Sequence, residues 1–493
     1  MVRTETTFTT SSKSLQKMYD GARDVLLDSL KPFGVRRVLT TGTDATSTTL
    51  HSEVMGAATL SRYDLEAAFD TVKAFLSTAR EDGRLPSEIL CRDGSVFPRY
   101  NGLTGLSFAE EALGLYYLTR KKDHEYLELL LSCLLGFDAY LWARHDLNFN
   151  NCLEIFSEKE TEEGAGSSRY ATISVEHHGE PREVSPFPVE SFELMACDVS
   201  IRHTIAHIYS LKGDAESAKE WAMKAINVKT HMKEHLWSEE DGAYFDRDYR
   251  GTRMDTLSIG NLLAMYYGAV DKEMADGFVE RYLYARDGFG TSMPLPTVAR
   301  GDRHFNNDDE KGFDGQPRGT TYCRAIGAFE KYGQFSLLTH LGEKLLSNIH
   351  ENGVFPERFE PFTGAPRGKE TYLPTAVATI ELITRFFGVR PQLDRMLWGA
   401  IGYGADYFSD YRFTWGSDTF RLSCESATST GYINGQRLFT VSNGVRVVTD
   451  IYGDEPQVIN VTDETIDCVL VYRDRTFSFT IEPNQSWQMP QKR

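Results

Sequence analysis

Amphipathic helical periodicity recurs along most of this sequence and constrains its fold more than any other feature. Over residues 12–408, apolar residues return at three- and four-residue steps in one segment after another, as in 123–145. Short polar turns join neighbouring segments at Arg120–Asp123, Lys212–Asp214 and Tyr332–Gln334. These patterns predict a mainly α body of antiparallel helical hairpins, with roughly a dozen helices.

The periodicity changes from helical to alternating near Tyr411. Runs of alternating apolar and polar residues follow, and two Asn-Gly pairs mark tight turns between them. From this change we predict two domains, a helical one over residues 1–408 and a small, sandwich-like antiparallel β domain over residues 409–493. We expect the β domain to have a structural role and to cover one side of the helical body.

Charge and composition exclude several classes of partner. The formal net charge is −18, and no basic cluster offsets it, so nucleic-acid phosphates and anionic lipids would be repelled. We see no apolar run of about 18 residues and no leader-like pattern, and therefore expect no membrane partner and a cytoplasmic location. The seven cysteines are scattered and are expected to be free thiols. The absence of a Gly-x-Ser-x-Gly elbow, a Walker A motif and a dinucleotide fingerprint argues against a serine hydrolase of the elbow type, a P-loop enzyme and a Rossmann dehydrogenase. We expect no cofactor.

An acidic loop over Glu160–Tyr170 is the first candidate for chemistry. Glu160, Glu162 and Glu163 stand close together beside glycines and Arg169. A carboxylic acid held near like charges has a raised pKa, as a general acid requires. The alternative interpretation is a solvated acidic loop, which is what acidic runs usually form.

A second candidate is the segment 354–366, in which two glutamates stand among three phenylalanines. Aromatic walls beside carboxylates suit sugars, because the C–H faces of a sugar stack on rings while its hydroxyls bond to acids. Glu357, Phe359 and Glu360 are the residues that this interpretation selects. The alternative is a surface turn whose phenylalanines pack inward.

A third candidate, the segment 313–333, places three planar polar groups just before a predicted helix. Asp314, Gln316 and Arg318 offer a carboxylate, an amide and a guanidinium, which together recognise neighbouring hydroxyls well. They could equally be loop residues whose hydrogen bonds are satisfied within the protein.

Two patterns resemble metal sites, and we predict that neither binds a metal. His231 and His235 fit His-x-x-Glu-His, but the segment continues as an ordinary amphipathic helix. The segment that begins at Asp146 starts like a calcium loop, but Asn151 and Ser157 stand where that loop has Gly and Glu. An irregular Ca²⁺ site stays open as an alternative.

The order of several motifs resembles a known family. The segments 79–90, 225–248, 312–333 and 352–366, followed by an apolar helix, are similar to the (α/α)6-barrel glycoside hydrolases of family 63 and the related trehalases. The resemblance spans most of residues 13–406. It implies an (α/α)6 toroidal barrel and an inverting α-glycosidase, with a carboxylic acid and a carboxylate base on opposite sides of the anomeric carbon.

The resemblance also implies roles for particular residues. Glu357 falls on the family's general base, whereas the family's acidic aspartate falls on Gly166. Either Glu162 or Glu163 then supplies the proton, or Asp314 or Asp198 does so, or hydrolysis has been lost. We predict that the sugar is contacted by a set of nearby side chains, namely Asp314, Gln316, Arg318, Arg169, Phe359 and Glu360.

We therefore expect a glycoside hydrolase that cleaves an α-linked glucoside or mannoside, with a small saccharide as its partner. The preference for a small substrate rests on the expected cytoplasmic location. One alternative is a sugar epimerase or isomerase on the same barrel, with His51, His177 or His178 transferring protons. The others are a noncatalytic sugar-binding protein and a phosphorylase, which would need an anion site. The sequence makes no prediction of the oligomeric state.

Overall fold

The computed structural model describes residues 2–43, 45–51, 53–92, 94–103, 108–161, 167–177, 180–308, 314–402 and 408–490. In these ranges the chain forms twelve α-helices. They are α1 (Lys13–Asp28), α2 (Glu53–Leu60), α3 (Leu65–Leu76), α4 (Ala109–Leu118), α5 (His124–Arg144), α6 (Phe192–Leu211), α7 (Ala215–Leu236), α8 (Gly260–Tyr266), α9 (Lys272–Phe278), α10 (Gly319–Lys331), α11 (Phe335–Asn352) and α12 (Leu373–Phe387).

Local sequence explains why several helices begin where they do. Asp64, Asp123 and Asp214 each accept a hydrogen bond from a backbone N–H in the first turn of α3, α5 and α7. Such side-chain caps satisfy amide groups that would otherwise lack a partner. The predicted hairpins α4–α5, α6–α7 and α10–α11 are confirmed.

Six helices pack in a closed circuit, and the others lie against it. Helix α2 contacts α4, α4 contacts α6, α6 contacts α8, α8 contacts α10, α10 contacts α12, and α12 returns to α2. Helices α3, α5, α7 and α11 pack against members of this circuit. In α12 fourteen residues, Leu373–Ile380 and Leu382–Phe387, are buried, as expected of a helix with neighbours on all sides.

The strands in the described residues are mostly short before residue 389 and longer after it. They are β1 (Thr4–Thr10), β2 (Leu30–Phe33), β3 (Arg36–Leu39), β4 (Ser47–Thr49), β5 (Glu88–Arg92), β6 (Ser95–Arg99), β7 (Glu154–Ile155), β8 (Ile173–His177), β9 (Glu180–Val184), β10 (Val189–Glu190), β11 (Trp237–Ser238), β12 (Ala243–Tyr244), β13 (Arg358–Phe359), β14 (Pro366–Arg367), β15 (Val389–Gln392), β16 (Arg395–Ala400), β17 (Ser409–Trp415), β18 (Asp418–Cys424), β19 (Thr428–Ile433), β20 (Gln436–Ser442), β21 (Val445–Asp450), β22 (Gln457–Asn460), β23 (Ile466–Tyr472), β24 (Arg475–Ile481) and β25 (Ser486–Gln488).

The β-rich C-terminal region consists of two antiparallel sheets. One has the strand order β1-β17-β18-β19-β20-β23-β24 and the other has β15-β16-β21-β22-β25. Strands β15 and β16, which precede the boundary predicted at residue 409, also belong to the second sheet. Strand β1 also joins the first sheet, with Thr4 paired to Trp415 and Thr10 to Ser409. Neither pairing is visible in local periodicity, since both depend on distant partners.

An ionic cluster joins the helices to the β region. Four arginines surround two glutamates in it, and we call these six residues the Arg-Glu cluster: Arg62, Arg385, Arg390, Arg446, Glu330 and Glu381. Glu330 of α10 forms salt bridges with Arg385, Arg390 and Arg446, at 2.8, 2.8 and 2.6 Å. Glu381 of α12 forms salt bridges with Arg62 and Arg385. Burial alone would raise the pKa of Glu330, but the three guanidinium groups lower it well below its usual range.

One described helix, α5, is long and apolar enough to cross a membrane, and 56% of its apolar stretch is buried inside the protein. It lies against α4 and α6, which is the environment of a core helix in a globular body. The seven cysteines are free thiols, as predicted.

Candidate active site

Three loops meet at the beginnings of α6, α10 and α12. The loop before α10 is held to the loop before α12, because the Phe359 N–H donates to the Pro317 carbonyl at 3.0 Å and the Gly319 N–H to the Glu357 carbonyl at 3.1 Å. Arg318 and Arg358 also face each other as an isolated β-bridge. The second and third candidate segments of the sequence therefore form one site.

Glu357 lies half-buried in this site, on the last loop before α12. Its carboxylate Oε2 accepts a hydrogen bond from the Lys369 N–H at 3.4 Å. Gly368 has a φ of +69°, and a Cβ on it would lie 2.9 Å from Glu357 Oε2. Because Gly368 has no side chain, the Glu357 carboxylate can lie directly against its backbone.

Tyr372 reports which charged groups surround Glu357. Burial raises the pKa of the Tyr372 hydroxyl; Arg318 opposes this rise, and Glu357 and then Glu53 add to it. Three charged groups from three different segments therefore face one phenol. Glu53 is fully buried at the start of α2, where its Oε2 accepts hydrogen bonds from the N–H and the hydroxyl of Thr49, both at 2.6 Å. Two carboxylates and a guanidinium thus lie close together at the beginnings of α2, α10 and α12.

Gln316 and Asp314 lie beneath this surface. Arg358 Nη1 donates to Gln316 Oε1 at 2.7 Å, and the Gln316 Nε2 is buried with no hydrogen-bond partner among the described residues. Asp314 is 2% exposed, and its backbone carbonyl accepts a hydrogen bond from Asn306. Of the three predicted residues Asp314, Gln316 and Arg318, the first two are buried and support the site from below.

The loop around Glu360 is closed by that residue's own carboxylate. It accepts hydrogen bonds from Asn307 Nδ2 at 2.5 Å, the Phe362 N–H at 2.9 Å, and both the N–H and the hydroxyl of Thr363. Burial alone would raise the pKa of Glu360, but these donors lower it. Three of these donors belong to the loop of Glu360 and the fourth, Asn307, to the loop before α10, so protein donors occupy the carboxylate and favour a positioning role for Glu360 over the predicted sugar contact.

Phe359 also differs from its expected role. Its ring is fully buried and packs edge-on against Tyr322 with centroids 5.6 Å apart, so it presents no open face for a sugar. The exposed ring of this loop is Phe362, which lies beside Phe305 and under the Arg300 guanidinium. A stacking surface at this site would be provided by Phe362.

Arg169 is fully paired below the acidic loop. Its guanidinium binds Glu193 Oε1 at 2.5 Å and Asp246 Oδ2 at 2.6 Å, and its side chain is 2% exposed. Asp246 further accepts a hydrogen bond from the Tyr170 hydroxyl and from the Phe192 N–H at the start of α6. This buried network fixes the end of the acidic loop to α6. Arg169 therefore has a positioning role here, although a direct contact between Arg169 and the sugar was predicted.

The candidates for the general acid lie in separate parts of the chain. Glu162 and Glu163 lie outside the described residues, as do Gly166 and His178. Asp198 is fully buried on α6, where it pairs with Arg202 at 2.9 Å and accepts from Trp142 Nε1 at 3.0 Å. Burial raises the pKa of Asp198 well above its usual range, but the side chain faces α5 and lies away from the loops. It is therefore unsuited to reach a substrate.

The two metal-like patterns meet in one place. Ligand atoms of Cys152, Glu190 and His235 lie within 4.8 Å of one another, and the described part of the chain holds no other such group. His235 Nε2 lies 2.7 Å from Glu190 Oε2. Burial, and then the nearby carboxylates, raise the pKa of the Cys152 thiol well above its usual range, which keeps it protonated and makes it a poor ligand.

Sequence reasoning missed Glu53, Glu193 and Asp246. Glu53 begins α2, an apolar helix in which seven of its eight residues are buried. A single acid at the start of such a helix is a usable signal, because a buried carboxylate requires partners. Glu193 and Asp246 carry no local signal, since their importance comes from Arg169.

Replacing Gly368 with Ala should displace the Glu357 carboxylate and lower kcat by about tenfold to a hundredfold, because small misplacements of catalytic groups cost rate on this scale. Gly353→Ala is the matched control, since Gly353 also has a positive φ of +70° but its Cβ would meet nothing within 4 Å. Both variants should lose about 1 kcal/mol of stability in urea unfolding. Equal kcat values for the two variants would contradict the role given to Gly368.

Comparison with known proteins gives a family-level match. Residues 52–375 match the model of the mannosylglycerate hydrolase MGH1-like glycoside hydrolase domain. This range contains all three loops of the site and the helices α2 to α11.

Several solved structures share the fold. The GH63 mannosylglycerate hydrolase from Thermus thermophilus in complex with glucose is 17% identical, with a TM-score of 0.61 over 75% of this chain and 100% of that chain. The same enzyme with Tris and D-glycerate is 18% identical, with a TM-score of 0.59 over the same shares of the two chains. The neutral trehalase from Saccharomyces cerevisiae is 14% identical, with a TM-score of 0.52 over 71% of this chain and 73% of that chain.

Proposed function

Because the chain belongs to the mannosylglycerate hydrolase MGH1-like glycoside hydrolase domain family and is a glycoside hydrolase, we propose that it is an inverting α-glycosidase. Its catalytic site would lie among the loops that precede α6, α10 and α12. The observation that carries this proposal is the position of Glu357, half-buried beside Arg318, Glu53 and Tyr372.

The proposed architecture is an (α/α)6 barrel. It is supported by the closed circuit of α2, α4, α6, α8, α10 and α12, with further helices packed against it. In such an arrangement the loops before the inner helices all open at one end. This arrangement would bring Glu53, Glu357 and the acidic loop, which are far apart in sequence, to one site.

In the proposed mechanism Glu357 is the general base. Its carboxylate would take a proton from a water molecule that attacks the anomeric carbon, while Glu162 or Glu163 protonates the departing oxygen. An inverting reaction needs about 6.5 to 9.5 Å between the two carboxyl groups, so that water fits beneath the sugar. Arg169, through its buried pairs, would hold the acidic loop at that separation.

The proposed substrate is a small α-linked glucoside or mannoside, with an acidic aglycone such as glycerate as the first choice. The family description supports this choice. Arg318 supports it physically, because its guanidinium and Glu357 both act on the Tyr372 hydroxyl, so a carboxylate on the aglycone would be attracted there.

A substrate screen tests this function. Purified protein is incubated with mannosylglycerate, glucosylglycerate, trehalose, kojibiose, nigerose, maltose and isomaltose, and early products are followed by proton NMR. From mannosylglycerate or glucosylglycerate we expect the β-anomer of the sugar to appear first, whereas trehalose should release one β- and one α-anomer together. First appearance of the α-anomer from mannosylglycerate or glucosylglycerate would contradict inversion, and cleavage that requires phosphate would indicate a phosphorylase instead.

A further inference from the structure

A cavity lies inside the circuit of helices, away from the catalytic loops. Its volume is about 370 Å³, within the range of small-molecule sites. Among its described walls are Tyr117 of α4, His207 of α6 and Arg385 of α12, all from the later part of their helices. Trp415 of the β region also lines it. The catalytic loops precede the first turns of α6, α10 and α12, and none of the described residues that line the cavity belongs to these loops.

Arg324 separates the two regions. It is 1% exposed on α10, and its Nη2 donates to the His51 carbonyl at 3.3 Å, just before α2. Its Nη1 lies 3.1 Å from the sulfur of Met55, which lines the cavity. A ligand in this cavity would therefore be distinct from a substrate beside Glu357.

The Arg-Glu cluster gives one wall of the cavity an excess of positive charge. Three arginines and two glutamates of the cluster line the cavity, which leaves one positive charge uncompensated on this wall, and Arg446 pairs with Glu330 without lining the cavity. The side chains of Arg62, Arg385 and Arg446 are at most 6% exposed. Solvent screening of this excess is therefore weak, and an anion would be attracted strongly.

One donor of the cluster is unused. Arg390 lines the cavity, and its buried Nε has no hydrogen-bond partner among the residues that the structure describes. Burial, and then the neighbouring Arg385, lower the pKa of Arg390 to about 10. An added negative charge at this position would satisfy the donor and relieve the repulsion between the guanidinium groups.

The opposite wall suits hydroxyl groups. No described side chain donates a hydrogen bond to the Glu111 carboxyl, and burial raises the pKa of Glu111 to about 7. Near neutral pH this carboxyl can either donate or accept a hydrogen bond. Glu110 is paired with Lys331 at 2.9 Å, so it adds no free charge.

We propose that this cavity binds a polyhydroxy carboxylate of sugar size, with its carboxylate on Arg390 and its hydroxyls toward Glu111 and Tyr117. The positive wall selects the carboxylate, and the Glu111 side selects the hydroxylated chain. The proposal does not depend on which glycoside is cleaved beside Glu357.

Isothermal titration calorimetry with D-gluconate and D-glucitol tests the proposal. The two probes have the same carbon chain and differ in the carboxylate, so glucitol is the neutral control. We expect saturable binding of gluconate, with glucitol at least tenfold weaker. No saturable gluconate binding, or equal affinity for the two probes, would overturn the proposal.

Variants then locate the binding site. Gly114 lines the cavity, and its Cβ would meet nothing within 4 Å, so Gly114→Leu fills the space without a clash. Leucine is also a better helix former than glycine, which protects the fold. Gly277→Leu is the matched control, because Gly277 is an open helical position on α9, outside the cavity.

We expect Gly114→Leu and Arg390→Gln each to weaken gluconate binding at least tenfold. Gly277→Leu and Glu357→Gln should bind gluconate as the wild type does. Unchanged binding in Gly114→Leu, or loss of binding in Glu357→Gln, would place the ligand elsewhere and overturn the proposal. If Arg390→Gln fails to fold, the Gly114→Leu result decides alone.

Discussion

Replacing Glu357 with Gln should lower kcat by about a thousandfold and leave the protein folded. The amide has the shape of the carboxylate but cannot accept the proton of the attacking water, and general-base catalysis contributes about 10²- to 10⁴-fold. The measurement is kcat and KM on the best substrate of the screen, with thermal unfolding to check the fold. Because the role concerns the reacting water, KM should change much less than kcat.

Two controls make this result specific. Glu370→Gln removes an exposed carboxylate from the same loop and should leave kcat unchanged. A glycosyl fluoride, whose leaving group needs no proton, separates base from acid: Glu357→Gln should remain inactive on it, whereas loss of the general acid at Glu162 or Glu163 should be rescued. Full activity of Glu357→Gln on either substrate would remove Glu357 from the mechanism.

Replacing Glu330 with Gln should cost about 3 to 5 kcal/mol of unfolding free energy, the largest stability effect that we expect. The substitution leaves Arg385, Arg390 and Arg446 buried around a neutral group, and an uncompensated buried charge is costly on this scale. Urea unfolding at neutral pH measures the loss. Because Glu330 joins α10 to β15 and β21, the helices and the β region should both be affected.

Glu128→Gln is the matched control for this loss. Glu128, like Glu330, forms an ion pair, but it has a single basic partner, Lys212, and its side chain is 59% exposed. Exposed pairs contribute about 0 to 1 kcal/mol, because water and salt screen them. If Glu330→Gln costs no more than Glu128→Gln, the Arg-Glu cluster does not stabilise the junction between helices and sheets.

The sequence was informative wherever the signal was local. Apolar periodicity and the polar turns before them were enough for α5 and α7. Glutamates among aromatic residues marked the segment of Glu357, and the family resemblance then selected Glu357 from it. What it lacked were pairings between distant segments. Arg169 read as a substrate contact because its partners Glu193 and Asp246 lie 24 and 77 residues away. For the same reason Glu53 went unnoticed, since only the fold brings α2 beside the loop before α12.

Burial also separated residues that looked equivalent in the sequence. Glu357 and Glu360 share one short segment, yet Glu360 accepts three hydrogen bonds from its own loop and one from Asn307, whereas Glu357 lies near charged neighbours. Likewise, Phe359 packs inward while Phe362 stays exposed. The direction in which a loop residue points depends on the turn that it forms, and periodicity carries no such information for loops.

The pairing of β1 with β17 has a consequence for synthesis on the ribosome. Thr10 contacts Phe408, which lies 398 residues later in the chain. At about 5 to 20 residues per second, the strand waits roughly 20 to 80 s for its partner. During that time its backbone groups are unpaired and available to other chains or to a chaperone. The last step of folding in this protein is therefore timed by translation of the C-terminal sheet.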